Sequence, residues 1–154
     1  MPGKIAVIGI GNTSRGDDGI GVLVLESLLN FYRREEIDYF NFGSSSFDLL
    51  HKIKPYDVVL LIDGVDAGLE IGELRINKLE EVDYKLNSTI TSTHELNLNN
   101  ILELSRGLGI KTQIYLAGIQ VGDVSFREGL SEILNLKKKS IIEEIATFID
   151  KIFL

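Results

Sequence analysis

The chain has 154 residues, 44% of them apolar and 25% charged, which is enough to bury a core in one domain. It has no cysteine, so disulfides, thiolate metal sites and a cysteine nucleophile are excluded. The formal net charge is −7, and the one run of three basic residues is Lys137-Lys138-Lys139. That run reads as a solvated helix face, so nucleic-acid binding by phosphate neutralisation is not expected. An acidic surface suits a basic partner segment or a cation instead.

The longest aliphatic run, Val58-Val59-Leu60-Leu61-Ile62, is far below the roughly 20 residues that span a membrane, so no membrane insertion is expected. Ile5 to Ile10 is short, has no small-residue cleavage pattern and runs into Asp17-Asp18. It is not read as a secretory signal, and a cytoplasmic location is expected.

In chain order, Lys4 to Ile8 predicts a buried strand, followed by a long loop from Gly9 to Gly19. Ile20 to Tyr32 is apolar nearly all round and predicts a well-covered helix. Ile37 to Phe42 predicts a second strand. The Ser44-Ser45-Ser46 turn leads into a short helix from Phe47 to Ile53, ended by Pro55. Asp57 to Ile62 is the most hydrophobic strand, and its unbroken Val/Leu/Ile composition suggests a central parallel strand covered on both faces. Glu73 to Ile76 alternates and predicts an edge strand wet on one side. Ser92-Thr93-His94-Glu95 has capping-box spacing, opening a helix to about Leu108 that Gly109 stops. Gln113 to Ile119 predicts another strand. Leu130 to Phe153 predicts a last helix, with an interruption near the lysines left open.

Strands alternating with helices imply an α/β fold: a single three-layer domain over residues 1–154, with a twisted, mostly parallel sheet and helices on both faces. No linker or repeat is present. In such sheets ligands bind at the carboxyl ends of the strands.

The loop Gly9-Ile10-Gly11-Asn12-Thr13-Ser14-Arg15-Gly16-Asp17-Asp18-Gly19-Ile20-Gly21 leaves the first strand there. It is no dinucleotide fingerprint, because Ser14 stands where Gly-x-Gly-x-x-Gly needs its third glycine, and no P-loop, because acids rather than Lys follow Gly16. Asp17 and Asp18 occupy the place a phosphate would take at a helix N-terminus. Two readings stay open: they cap the helix, or they invite a cation. Asp63 closes the third strand before Gly64, where a turn pair is the bland reading. Of the two histidines, His51 reads as a surface residue. His94 falls in the first turn after the Ser92 cap, where the helix dipole keeps imidazole neutral and able to bind metal. An acid from the first loop, Asp63 and His94 together form a carboxylate-carboxylate-imidazole set suited to a divalent transition metal, with positions left for water or a carbonyl.

These residues resemble the hydrogenase maturation endopeptidases. The family's opening signature is Gly-x-Gly-Asn, four residues, two acids, then in many members Gly-x-Gly. Gly9-Ile10-Gly11-Asn12 and Asp17-Asp18-Gly19-Ile20-Gly21 match it. Asp63 at the end of the third strand, Ser92-Thr93-His94, and the Gly129-Leu130-Ser131 turn before the last helix match further family features. Ser14 departs from a usual Leu. Asn41-Phe42-Gly43-Ser44-Ser45-Ser46 keeps only part of a Gly- and Thr-rich loop, which bears on substrate choice.

The resemblance implies an endopeptidase that removes the C-terminal extension of a nickel-loaded nickel-iron hydrogenase large-subunit precursor. It implies that Asp18, Asp63 and His94 are both metal-contacting and catalytic. Nickel would come with the substrate, and zinc or cadmium can take its place in crystals. Asp17 is then a cap or supporting group. Asp18→Asn and His94→Ala are expected to fold, since neither residue is read as core. The alternatives are a nickel-binding assembly factor or metallochaperone without proteolysis, a nucleotide-binding doubly wound domain, and a spore-type protease of the same fold.

Overall fold

The computed structural model describes residues 3–43, 47–80, 91–92 and 98–153. Six strands form one sheet: β1 (Ile5–Ile10), β2 (Ile37–Gly43), β3 (Val58–Asp66), β4 (Leu74–Lys78), β5 (Thr91–Ser92) and β6 (Gln113–Gln120). The order is β2-β1-β3-β6-β4, with β5 paired to the end of β3. β1 pairs in parallel with β2 and β3, and β3 with β6. β4 runs antiparallel on β6 and forms the half-wet edge its alternation predicts. Four helices complete the described fold: α1 (Ile20–Phe31), α2 (Phe47–Ile53), α3 (Leu98–Gly107) and α4 (Glu132–Phe153). Among the described residues, no helix is long and apolar enough to cross a membrane.

β1 and β3 are apolar at nearly every position because both their faces are covered. Ile5 and Val7 of β1, with Val58, Leu60 and Ile62 of β3, pack under α1 and α4. Ala6, Ile8 and Ile10, with Val59 and Leu61, pack under Leu49, Leu50 and Ile53 of α2. The strand period of two thus splits each strand between two cores. The helically spaced residues Ile141, Ile142, Ile145, Phe148, Ile149 and Ile152 read from sequence as the core face of α4; Ile141, Ile142, Ile145 and Ile149 are buried and Phe148 packs against them, but Ile152 is 47% exposed.

Some expectations need correcting. β3 does not end at Asp63 but runs on to Asp66, because β6 and β5 go on pairing with it after β1 has stopped. α4 is continuous through the three lysines, whose straight side chains favour helix and lie on its wetter side. α1 is covered along its core face, but Phe31 is 77% exposed at its end. The first turn of the expected 92–108 helix, with His94 and Glu95, lies outside the described residues. Ser92 itself sits in β5.

β1 connects through α1 to β2 on one side, and β2 returns through α2 to β3 on the other side of β1. α1 and α2 lie on opposite faces. The carboxyl ends of β1 and β3 are therefore the topological switch point, where open α/β sheets hold their ligands.

Candidate active site at the switch point

The first loop folds tightly because its glycines leave room for nothing else. Gly11 has φ +139, and a Cβ there would collide with the Asp18 carbonyl oxygen at 2.0 Å. Gly21, in the first turn of α1, would put a Cβ 2.3 Å from the Ile62 carbonyl and 2.4 Å from that of Ile10. The start of α1 is thereby pressed against the ends of β1 and β3. Asn12 shapes the turn between these glycines. Its side-chain Oδ1 accepts from Ser14 N at 2.9 Å, and its backbone oxygen accepts from Arg15 N at 3.1 Å. The glycine spacing records close packing rather than phosphate binding.

Gly16 to Gly19 form a single 3-10 turn that carries both acids into the interior. Asp17, Asp18 and Asp63 are all 0% exposed. This corrects the expectation that Asp18 lies outside the core. Neither acid caps α1: Gly19 is the N-cap, with no side-chain bond. Asp18 Oδ2 instead accepts from Asn12 N at 3.0 Å. Asp63 pairs with Gly118 of β6, one residue past the last β1 partner pair, Gly9 and Ile62. A Cβ on Gly64 would meet Ile20 at 3.3 Å and the Asp17 carbonyl at 3.5 Å. The residues on both sides of Asp63 therefore touch the acidic turn or the helix it opens, so the backbone brings the Asp63 end of β3 beside the turn that carries Asp18.

Asp17 has a different job. Its Oδ2 accepts from Gly122 N at 2.8 Å, from Asp123 N at 3.2 Å and from Ser131 Oγ at 2.8 Å, while Oδ1 accepts from Ser131 N at 2.6 Å. Its own N–H donates to the Asp123 carbonyl at 2.8 Å. Gly16 N donates to the Arg127 carbonyl and Arg127 N to the Ser14 carbonyl, at 2.9 and 3.0 Å. Arg15 Nε reaches the Val124 carbonyl, and its guanidinium lies 5.5 Å from the Phe126 ring centre. The loop after β1 and the loop after β6 are thus one unit, with a fully satisfied buried carboxylate at its centre. Sequence spacing gave no hint of this clamp, although Gly129-Leu130-Ser131 marked one end of it. Gln120 forms a second buried post: its Oε1 accepts from Ala67 N at 2.8 Å, and its Nε2 donates to the Val121 carbonyl at 2.9 Å.

Asp123 sits on the rim of that clamp. Its carboxylate accepts from Ser125 Oγ at 2.6 Å, Ser125 N at 2.9 Å and Arg127 Nη1 at 3.1 Å. These bonds, those of Ser125 foremost, pull its pKa from 3.8 down to about 2. A depressed folded pKa means that its contribution is whole above the unfolded value and is lost as pH falls from about 3.8 through about 2. The group is exposed, so solvent screens that contribution. A carboxyl-carbon NMR titration should find the Asp123 midpoint near 2, and a midpoint near 3.8 would show that these bonds do not persist in solution.

His51 lies exposed on α2, outside these loops. His94 lies outside the described residues. Ser92, two positions before it, pairs with Val65, two positions after Asp63. Among the described residues, no group of three His, Cys, Asp or Glu could hold a metal ion.

The fold matches known proteins. The hydrogenase maturating endopeptidase HybD from E. coli superposes with a TM-score of 0.83 over 96% of this chain and 93% of its own, at 22% identity. The [NiFe] hydrogenase maturation protease HycI from Thermococcus kodakarensis KOD1 superposes with a TM-score of 0.76 at 31% identity, over 96% of this chain and 92% of its own. In sequence, the hydrogenase expression/formation protein HupD from Thiocapsa roseopersicina is 26% identical over 94% of this chain and 69% of its own length. The model of the family HycI, hydrogenase maturation protease, matches residues 22–148, beginning just past the glycine-acidic loop. By sequence and by fold, the chain belongs to the hydrogenase maturation protease family and is a peptidase.

Proposed function

We propose that this peptidase removes the C-terminal extension of a nickel-iron hydrogenase large-subunit precursor, and that it uses nickel carried by that precursor as its signal to cut. The observation that supports the reading is that Asp18 and Asp63 are both fully buried and both belong to elements that meet at the switch point of the sheet. A carboxylate out of water is stable only with donors, an opposite charge or a metal beside it. His94 completes the set. It is two residues from Ser92, which β5 holds beside Val65 of β3, and two residues reach at most about 7 Å. The donor set, two carboxylates and one imidazole, suits nickel while leaving positions for the scissile carbonyl and a water.

In this reading Asp18, Asp63 and His94 hold the nickel that the substrate brings, which fixes the cleavage point relative to it. Nickel so held polarises a carbonyl as a Lewis acid. Hydrolysis also needs a group that takes a proton from the attacking water and returns it to the leaving amine, and the Asp carboxylates are the candidates. Asp17 takes no part in the chemistry, since its four hydrogen bonds fix it in the loop clamp. The same reading places the reaction in the cytoplasm.

Mass spectrometry of a large-subunit precursor incubated with this protein, with and without prior nickel loading, tests the proposal. Loss of one defined C-terminal peptide from the loaded form alone is the expected result. Equal cutting of both forms would refute the nickel signal. Nickel binding with no cutting of a loaded precursor would favour a metallochaperone.

A further inference from the structure

We infer that the outer edge of β2 is a docking strand for the extended C-terminal tail of the polypeptide being cut, the tail adding to the sheet as one more strand. The inference deepens the precursor reading above and rests on it.

The two edges of the sheet are built differently. β4 is five residues long and carries Arg75 and Lys78, the kind of charge that keeps stray strands from pairing. β2 is seven residues long, Ile-Asp-Tyr-Phe-Asn-Phe-Gly, with no Lys, Arg or Pro. Its one charged side chain, Asp38, is engaged by the Tyr56 hydroxyl at 2.6 Å. Among the described residues, no strand pairs with its outer side. A long edge without such guards is a template for an extended peptide, whose main chain supplies affinity while alternate side chains supply selectivity.

The side-chain environment beside this edge is shaped for that role. Phe40 and Phe42 border an open cavity of about 720 Å³, shared with Asp48, His51, Lys52 and Tyr56. Phe40 and Tyr56 meet edge to face at 6.0 Å, and the Lys52 ammonium lies 4.2 Å from the Phe40 ring centre. Every second side chain of an added strand would fall on this aromatic floor. A C-terminal tail always carries its own terminal carboxylate. Lys52 offers that charge a partner, balanced in the same cavity by Asp48, in a protein whose net charge is −7.

The edge is also continuous with the active-site loop. The Gly43 carbonyl, at the end of β2, accepts from Gly11 N at 2.8 Å, and Gly11 packs directly on the Asp18 backbone. A strand added to β2 lies about 10 Å from β1, two strand spacings. A peptide leaving it at the carboxyl edge therefore passes toward the switch point, where the turn that carries Asp18 meets the Asp63 end of β3.

Hydrogen–deuterium exchange decides the matter. The wild-type protein is mixed with a large-subunit precursor that carries no nickel, which it is not expected to cut, or with the same precursor lacking its tail. Amides of residues 38–43 should exchange about tenfold more slowly with the intact precursor and not with the truncated one. No slowing, or equal slowing by both precursors, overturns the docking strand. In the cleavage assay, Lys52→Glu should raise KM about fivefold, roughly 1 kcal/mol of binding, with kcat unchanged. An unchanged KM would remove Lys52 from the tail's contacts. Cutting by the wild type tests the precursor reading separately, so the two ideas can fail independently.

Discussion

Asp18→Asn should leave a folded protein that no longer cuts. Asparagine keeps an oxygen in the place where Asp18 Oδ2 accepts from Asn12 N, so the turn retains its bond. What disappears is the negative charge, and with it both metal affinity and proton acceptance. Loss of a positioned acid-base group lowers a rate by about 10²- to 10⁴-fold. The same fall is expected for His94→Ala, which removes the imidazole of the proposed set. Circular dichroism should show both variants folded, and cleavage of loaded precursor should be lost in both. Cleavage within threefold or so of wild type, in either variant, would remove that residue from the mechanism.

Asp17→Asn should do the opposite, damaging the fold before the chemistry. Asp17 accepts four hydrogen bonds, three of them from backbone N–H groups on Gly122, Asp123 and Ser131. An asparagine amide turned either way points its own NH2 at one or more of those donors. A buried polar mismatch of this kind costs about 3 kcal/mol or more, against a total stability of about 5–15 kcal/mol for a typical domain. Chemical denaturation should therefore show a clear fall in midpoint. Ser131→Ala removes only the hydroxyl donor and a long bond from Leu134 N at 3.4 Å, so about 1 kcal/mol is expected there. If Asp17→Asn loses less than Ser131→Ala, the clamp is not the anchor described.

The elements were legible where burial imposes a pattern. β1 and β3 stand out as unbroken apolar runs because both faces are covered, and α4 because its isoleucines recur at helical spacing. The end of β3 was not legible. Asp63-Gly64 looks like a turn from sequence, but strand pairing with β6 and β5 overrides that local preference. The site was half legible. Glycine and acid spacing pointed to the loop that folds over the switch point, and the bland capping role for the two acids fails because both turn inward. Their division of labour could not be read, since Asp17 and Asp18 are neighbours of identical chemistry. Only the partner loop separates them, and it lies 105 to 114 residues further along.

That separation has a consequence for how the protein is made. The acidic turn is near the start of the chain, yet the groups that hold it in place, Gly122, Asp123 and Ser131, come late. During synthesis β1, α1 and β2 emerge first and can begin to pack, but Asp17 has none of its four donors until the segment before α4 has left the ribosome. At about 5–20 residues per second that is a delay of about 5 to 20 seconds. The nascent chain therefore carries Asp17 through most of translation without the partners that bury it. The acidic turn of this protease is thus anchored late in synthesis, by residues that lie just before α4.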